Sequence, residues 1–173
     1  MSDQADHALW RFSLRVYGAE GVEAACLRLQ DDHGADVNLV LFCCWLGAAG
    51  YGRVAEPLLR SALAAASQWH GRAVAPLRAL RRSLKHDPAP LPAAAAEPVR
   101  RKVLAAELEA EHALQTLLFG LASNLDRTAL PAESRAADAD ANIESYLSMS
   151  GIAIDGAVRR DIGIIVAAAA AET

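Results

Sequence analysis

Asp36-Val37-Asn38-Leu39-Val40-Leu41-Phe42-Cys43-Cys44-Trp45-Leu46-Gly47-Ala48-Ala49 is the stretch that decides the fold. Beyond Asn38 it carries no polar side chain, so no polar face can be drawn at helical period, and a helix apolar all round belongs inside other helices. Asp36 suits its N-cap, where a carboxylate accepts an amide hydrogen bond from the open first turn. The expectation is a central core helix over residues 36–49. Asn38 is its odd residue, placed either to solvate the first turn or to hydrogen-bond a buried neighbour such as Ser13 or Gln30.

Working outward, the flanking segments also read as helices. Residues 6–17 carry Leu9, Trp10, Phe12, Leu14, Val16 and Tyr17 on a wide apolar face, and Gly18 ends them. Residues 19–33 place Val22, Cys26, Leu29 and His33 on one line, with Gly34 as a left-handed C-terminal glycine. Pro57 opens a fourth helix that ends or kinks at Trp69 and Gly71, and Pro76 permits another start. The segment Asp87-Pro88-Ala89-Pro90-Leu91-Pro92 cannot continue a helix, because its prolines remove donors and restrict their predecessors. A long helix is expected over residues 98–127, its stripe running through Val99, Val103, Ala106, Ala110, Leu114, Leu117, Leu121 and Leu125, as the spine beside the central helix. A weaker helix over 133–149 is closed by Gly151, and Asp155 caps a last one that runs into an alanine tail.

The 173 residues are enough for one domain with a substantial core. Alanine dominates a composition that is 53% hydrophobic but only 5% aromatic, which favours helix over strand. The fold expected is therefore all-α: a single-domain bundle of six or seven helices over 1–173, with a Pro-rich linker at 87–92 inside it. No apolar run is long enough for a membrane span. The polar, acidic start lacks the features of a secretory signal, and three cysteines without metal spacing read as small buried residues; both point to the cytoplasm. The net charge of −4 is uneven: −3 over residues 1–71, +6 over 72–102 and −7 over 103–173. The middle is a basic island in an acidic chain.

Trp10-Arg11-Phe12-Ser13, Cys26-Leu27-Arg28-Leu29-Gln30-Asp31 and the run from Gly34 to Leu46 resemble the signature of a small proteobacterial family of conserved hypothetical proteins, a domain of unknown function. The resemblance covers residues 9–46, continues through Pro76-Leu77-Arg78-Ala79-Leu80-Arg81-Arg82 and Glu107-Leu108-Glu109-Ala110-Glu111, and stops near residue 120. It implies a cytoplasmic bacterial protein of this length. No activity is attached to that family, so no catalytic residue carries over.

Two arrangements could carry chemistry. Glu109 and His112 form one Glu-x-x-His pair, but a di-metal bundle needs a second pair, which the chain lacks; exposed side chains are the plainer reading. Glu107 and Glu111 share a helix face, as do Arg78 and Arg81 one helix earlier, and the Pro-rich linker folds the two helices together. These four make either a structural clasp or a polar pocket, and the clasp is the plainer reading because arginine is the usual partner in buried ion pairs. The basic island invites nucleic acid, but it carries no aromatics beyond Trp69 and no recognisable motif, and the chain has a pI of 5.7. Cys43 and Cys44 lie where burial silences a thiol.

The reading that results is an interaction or regulatory protein, not an enzyme, with no cofactor and no metal. It would receive a protein partner, or a second copy of itself, on a basic and apolar helix surface. The alternative is a small-molecule-binding bundle or enzyme with a pocket between the central and long helices, lined by Trp10, Trp45, Asn38, Glu107 and Arg78. The candidate binding residues are Trp10, Asn38, Trp69, Arg78, Arg81, Arg82, Glu107 and Glu111. An enclosed cavity with unpaired polar groups favours the pocket, and a dry core with an exposed apolar patch favours the partner.

Overall fold

A computed structural model describes residues 7–171 of the chain. The described residues are all-helical, with no strand among them. The elements are α1 (Ala8–Tyr17), α2 (Val22–His33), α3 (Val37–Ala48), α4 (Glu56–Trp69), a π-helical turn (His70–Val74), α5 (Ala75–His86), α6 (Ala93–Leu121), α7 (Ala132–Met149) and α8 (Gly156–Ala170). Because α4, the π turn and α5 run on without a break, the elements amount to seven helical rods. The start of the first helix expected at Asp6 lies outside the described residues.

The central helix is as the sequence dictates. Asn38 to Gly47 of α3 are all buried, and Asp36 Oδ1 accepts the Asn38 amide at 2.8 Å. Burying each of its large side chains contributes roughly 1.5–3 kcal/mol. Its main neighbour differs from the expectation: α3 packs most extensively on α7, while α6 only flanks it. Gly47 allows this, since a Cβ there would stand 2.1 Å from the Ala139 amide nitrogen. Two side chains of α7 then lock the approach. Asn142 accepts the Val54 amide at 2.8 Å and donates to the Gly52 carbonyl at 3.0 Å, and the Tyr146 hydroxyl accepts the Asp36 amide at 2.7 Å. The short, mostly small side chains of α7 made it look weak in isolation, yet smallness is what close packing requires.

The long helix also differs in register from expectation. It starts at Ala93, because Pro92 serves as its N-cap and four alanines extend it upstream of Pro98, and it ends at Leu121. Leu125 is therefore outside it and 37% exposed. Its inward stripe is Val103, Glu107, Ala110, Leu114 and Leu118, with Val99, Ala106 and Leu117 turned to solvent. The stripe turns about the buried Glu107, which a purely apolar pattern cannot anticipate.

At Trp69 the helix neither ends nor restarts; it widens into the π turn, and Pro76, which has no amide to donate, follows at once. Beyond it α5 buries none of its residues, and it pairs with the first half of α6 as a hairpin set off from the main core, whose α6 members are Leu114 and Leu118. Cys26, Cys43 and Cys44 are free and buried; burial pushes the Cys26 and Cys44 thiols up to about 12 and also raises Cys43. Among the described residues no helix is long and apolar enough to cross a membrane.

Candidate functional site

Where the hairpin meets the core, a polar chain of side chains crosses four helices. The spacing of four puts Glu107, Glu111 and Gln115 on one face of α6, and that of three puts Arg78 and Arg81 on the facing side of α5. Arg81 Nε donates to Glu107 Oε2 at 2.5 Å, and Arg78 Nε donates to Glu107 Oε1 at 3.0 Å. Arg78 reaches on, donating to Glu111 Oε1 at 2.8 Å and to Gln30 Oε1 of α2 at 3.3 Å. Glu111 in turn accepts from the Asn38 side-chain amide of α3, and Asn38 Oδ1 accepts from Gln115 Nε2 at 3.0 Å. Asn38 thus neither solvates the first turn nor pairs with Ser13 or Gln30; it is buried and joins α3 to α6.

The direction of this relay follows from chemistry. An ionised carboxylate can only accept, so Glu111 orients the Asn38 amide group toward itself. Asn38 must then offer its oxygen to Gln115, which turns its own amide group inward. The Gln115 oxygen is left over, buried and without a hydrogen-bond partner. Ser13 of α1 presents a second such atom: its hydroxyl is buried and unpartnered. Both residues are 3% exposed, and an unsatisfied buried polar group costs about 1–3 kcal/mol.

Both atoms belong to residues lining a cleft of about 1130 Å³ to which α1, α2, α3, α4, the π turn, α5, α6 and the end of α7 contribute. Its lining includes the less exposed Arg78, Arg81, Glu107, Glu111 and Asn38, the aromatic Trp10 and Tyr17, and, at its exposed rim, Leu14, Leu27 and Leu108. The rim leucines are 57%, 40% and 56% exposed, so Leu14 belongs to the mouth of the cleft and not to the core face expected of it. The volume lies somewhat above the range of roughly 300–1,000 Å³ usual for ligand pockets.

Of the candidate residues, the cleft brings together Trp10, Asn38, Arg78, Arg81, Arg82, Glu107 and Glu111. Trp69 stands apart, its indole donating to the Ala110 carbonyl at 2.8 Å against the core. Trp45, expected in the pocket, is buried beside Tyr51 and Phe119 because α3 faces inward on every side. Glu109 is exposed as expected, but His112 is not: it packs on Trp10 with ring centroids 4.3 Å apart, its Nε2 buried without a partner. Among the described residues no group of three or more His, Cys, Asp or Glu side chains could hold a metal ion. Within the basic island Arg100 pairs with Glu97 at 2.7 Å, while Arg72, Arg82, Lys85, Arg101 and Lys102 are exposed. Ser13, Gln30, Gln115 and the rim leucines are additions; the run Glu107, Glu111, Gln115 at steps of four was the signal available for Gln115.

The two glutamates are held differently. Burial acts to raise the Glu107 pKa, but hydrogen bonds from Arg81 and Arg78 outweigh it and keep the carboxyl below its ordinary value. For Glu111 burial prevails over the Asn38 hydrogen bond and the Arg78 charge, and nearby Asp36 and Glu107 add to the rise. Carboxyl-resolved NMR titration is therefore expected to show Glu111 protonating first and Glu107 last as pH falls; the reverse order would contradict the arrangement of charges.

The family described as "Protein of unknown function (DUF2390)" matches residues 8–118. The chain belongs to that family. The matched span contains α1 to α5 and all of α6 except its last three residues, so most of the cleft lining falls within it, whereas Tyr146 and Ser150, which also line the cleft, lie beyond it with α7 and α8. Comparison with curated proteins and with solved structures found no match.

Proposed function

We propose that this protein is a cytoplasmic ligand-binding helical domain, whose ligand is a small molecule seated in the cleft between α1, α2, α3, α5 and α6. The observation that carries the reading is the pair of buried, unpartnered polar atoms, Ser13 Oγ and Gln115 Oε1, in residues that line a large cleft. Buried polar groups are normally satisfied, and the exceptions call for a reason. A ligand that hydrogen-bonds both supplies it. The salt bridges fit this reading as well as the clasp reading, since a rigid network behind a site fixes the side chains in front of it. Three free, buried thiols support the cytoplasmic setting. A reading as a protein-docking surface has less support, because Trp69, the one aromatic near the basic island, donates its indole N–H to the Ala110 carbonyl.

A fragment screen read by amide NMR tests the proposal. Hits are expected to shift Ser13, Asn38, Gln115 and the Trp10 indole together while leaving α8 unmoved. Hits that map elsewhere, or a diverse collection without a hit in the cleft, would overturn it.

A further inference from the structure

We infer that the ligand of the cleft carries a cationic nitrogen, a primary ammonium on an apolar stem, with the ammonium donating to Gln115 and Glu111 and the stem lying against the rim leucines. The inference rests on the cleft being a ligand site and adds the chemical class of the ligand.

Three features converge on it. The atom left over at the end of the relay, Gln115 Oε1, is an acceptor, so its partner must be a donor, and Ser13 Oγ can accept as well as donate. The charge around the space is unbalanced: three arginines of the lining face five carboxylates. Arg78 and Arg81 are already engaged by Glu107 and Glu111, so the excess is negative, shared between the half-buried Asp36 and Glu111 and the exposed Glu23 and Asp31. Glu111 itself is undercompensated: Arg78 is shared with Glu107, each Glu111 oxygen accepts only one hydrogen bond, and burial, the main cause of its raised pKa, is not offset by them. An ammonium has three donors and one charge, and Gln115, Ser13 and Glu111 offer acceptors and the opposite charge. Trp10 and Tyr17 also line the cleft, and aromatic rings attract a cation. The exposed leucines then require that the rest of the ligand be apolar. An anionic ligand would instead have to meet five carboxylates, with the half-buried arginines already paired and only the exposed Arg82 of the lining outside those pairs.

Titration calorimetry of the full chain at neutral pH and low salt, with n-hexylamine, n-hexanol and n-hexanoate as probes of one shape and three charges, tests this. The amine is expected to bind at least about tenfold more tightly than the alcohol, the ratio of roughly one charge-assisted hydrogen bond, with hexanoate weakest. Glu111→Gln should remove the advantage of the amine and keep the binding of the alcohol. Acetyl-lysine methylamide as a fourth probe separates the two sources of an ammonium: preference for it assigns the cation to a peptide side chain, and preference for hexylamine assigns it to a free amine. Hexanol or hexanoate binding as tightly as the amine, an unchanged preference in Glu111→Gln, or no binding by any probe would overturn the inference. In the first two cases, shifts at Ser13 and Gln115 would still report an occupied cleft, so that the cationic assignment fails and the site does not.

Discussion

Gly47→Ala is expected to destabilise the fold by about 4 kcal/mol or more, above the roughly 1–3 kcal/mol usual for an overpacked core. The added Cβ would stand 2.1 Å from the Ala139 nitrogen, 2.4 Å from its Cα and 2.6 Å from the Asp138 carbonyl carbon. All three are backbone atoms, so no rotamer change relieves the clash, and α7 would have to move away from α3. Asn142 and Tyr146 oppose that movement, because their bonds to the Gly52 carbonyl and to the Val54 and Asp36 amides would break with it. The sign makes the prediction specific. At an open helical site, alanine in place of glycine stabilises by about 1 kcal/mol. Gly163 of α8 and Gly120 of α6 are such sites, with nothing within 4 Å of a built Cβ. Chemical denaturation of the three variants should therefore show one large loss and two small gains. A Gly47→Ala protein as stable as the parent would mean that α3 and α7 do not meet as described.

Arg78→Ala is expected to cost about 3 kcal/mol at neutral pH, at the low end for breaking a buried ion pair because the Arg78 side chain is 21% exposed. The loss reaches three helices: Glu107 keeps only Arg81, Glu111 keeps only Asn38, and Gln30 of α2 loses its bond to α5. The pH dependence follows from Glu111. Its folded pKa lies above the ordinary value, so its contribution to stability grows as pH falls through the folded pKa toward the unfolded one. Removing Arg78 takes away one of the influences that lower this pKa and widens the window. The deficit of the variant should shrink between neutral pH and the ordinary carboxylate range. Glu107 works in the opposite sense: its lowered pKa gives stability that is present above the unfolded value and lost as pH falls through the folded one. Below the ordinary carboxylate range both proteins should lose stability together. Thermal unfolding across this range checks both claims, and an Arg78→Ala protein with undiminished stability at neutral pH would contradict the clasp.

Much of the fold is written locally. The run from Leu39 to Leu46 has no polar face, Gly34 and Gly151 take positive φ where helices stop, and Asp36 and Asp155 cap where helices begin. The meeting of Arg78 and Arg81 with Glu107 and Glu111 was legible too, because each pair lies on one helical face and the prolines between them fold the helices back. What was not legible is set by tertiary neighbours. Nothing about Ala139 or Asn142 announces that α7 would press against Gly47, and the alanines before Pro98 extend α6 by propensity where proline rules alone would begin it. Asn38 illustrates the limit within the site. Its spacing fits a solvated first turn as well as a buried bridge, and only the approach of Glu111 and Gln115 decides between them. Ser13 offered no periodic signal, since its value to the cleft lies in a missing partner, and a missing partner cannot be read from one segment.

The central claim is that the unpartnered atoms of the cleft await a ligand. Equilibrium unfolding of Ser13→Ala, with and without the strongest cleft hit from the fragment screen, tests it most directly. Removing a buried hydroxyl that has no partner should raise the stability of the ligand-free protein by about 1 kcal/mol and should reduce the stabilisation that the ligand confers. A ligand-free variant less stable than the parent, together with undiminished stabilisation by the ligand, would show that the Ser13 hydroxyl is satisfied within the fold and that the cleft is not built around it.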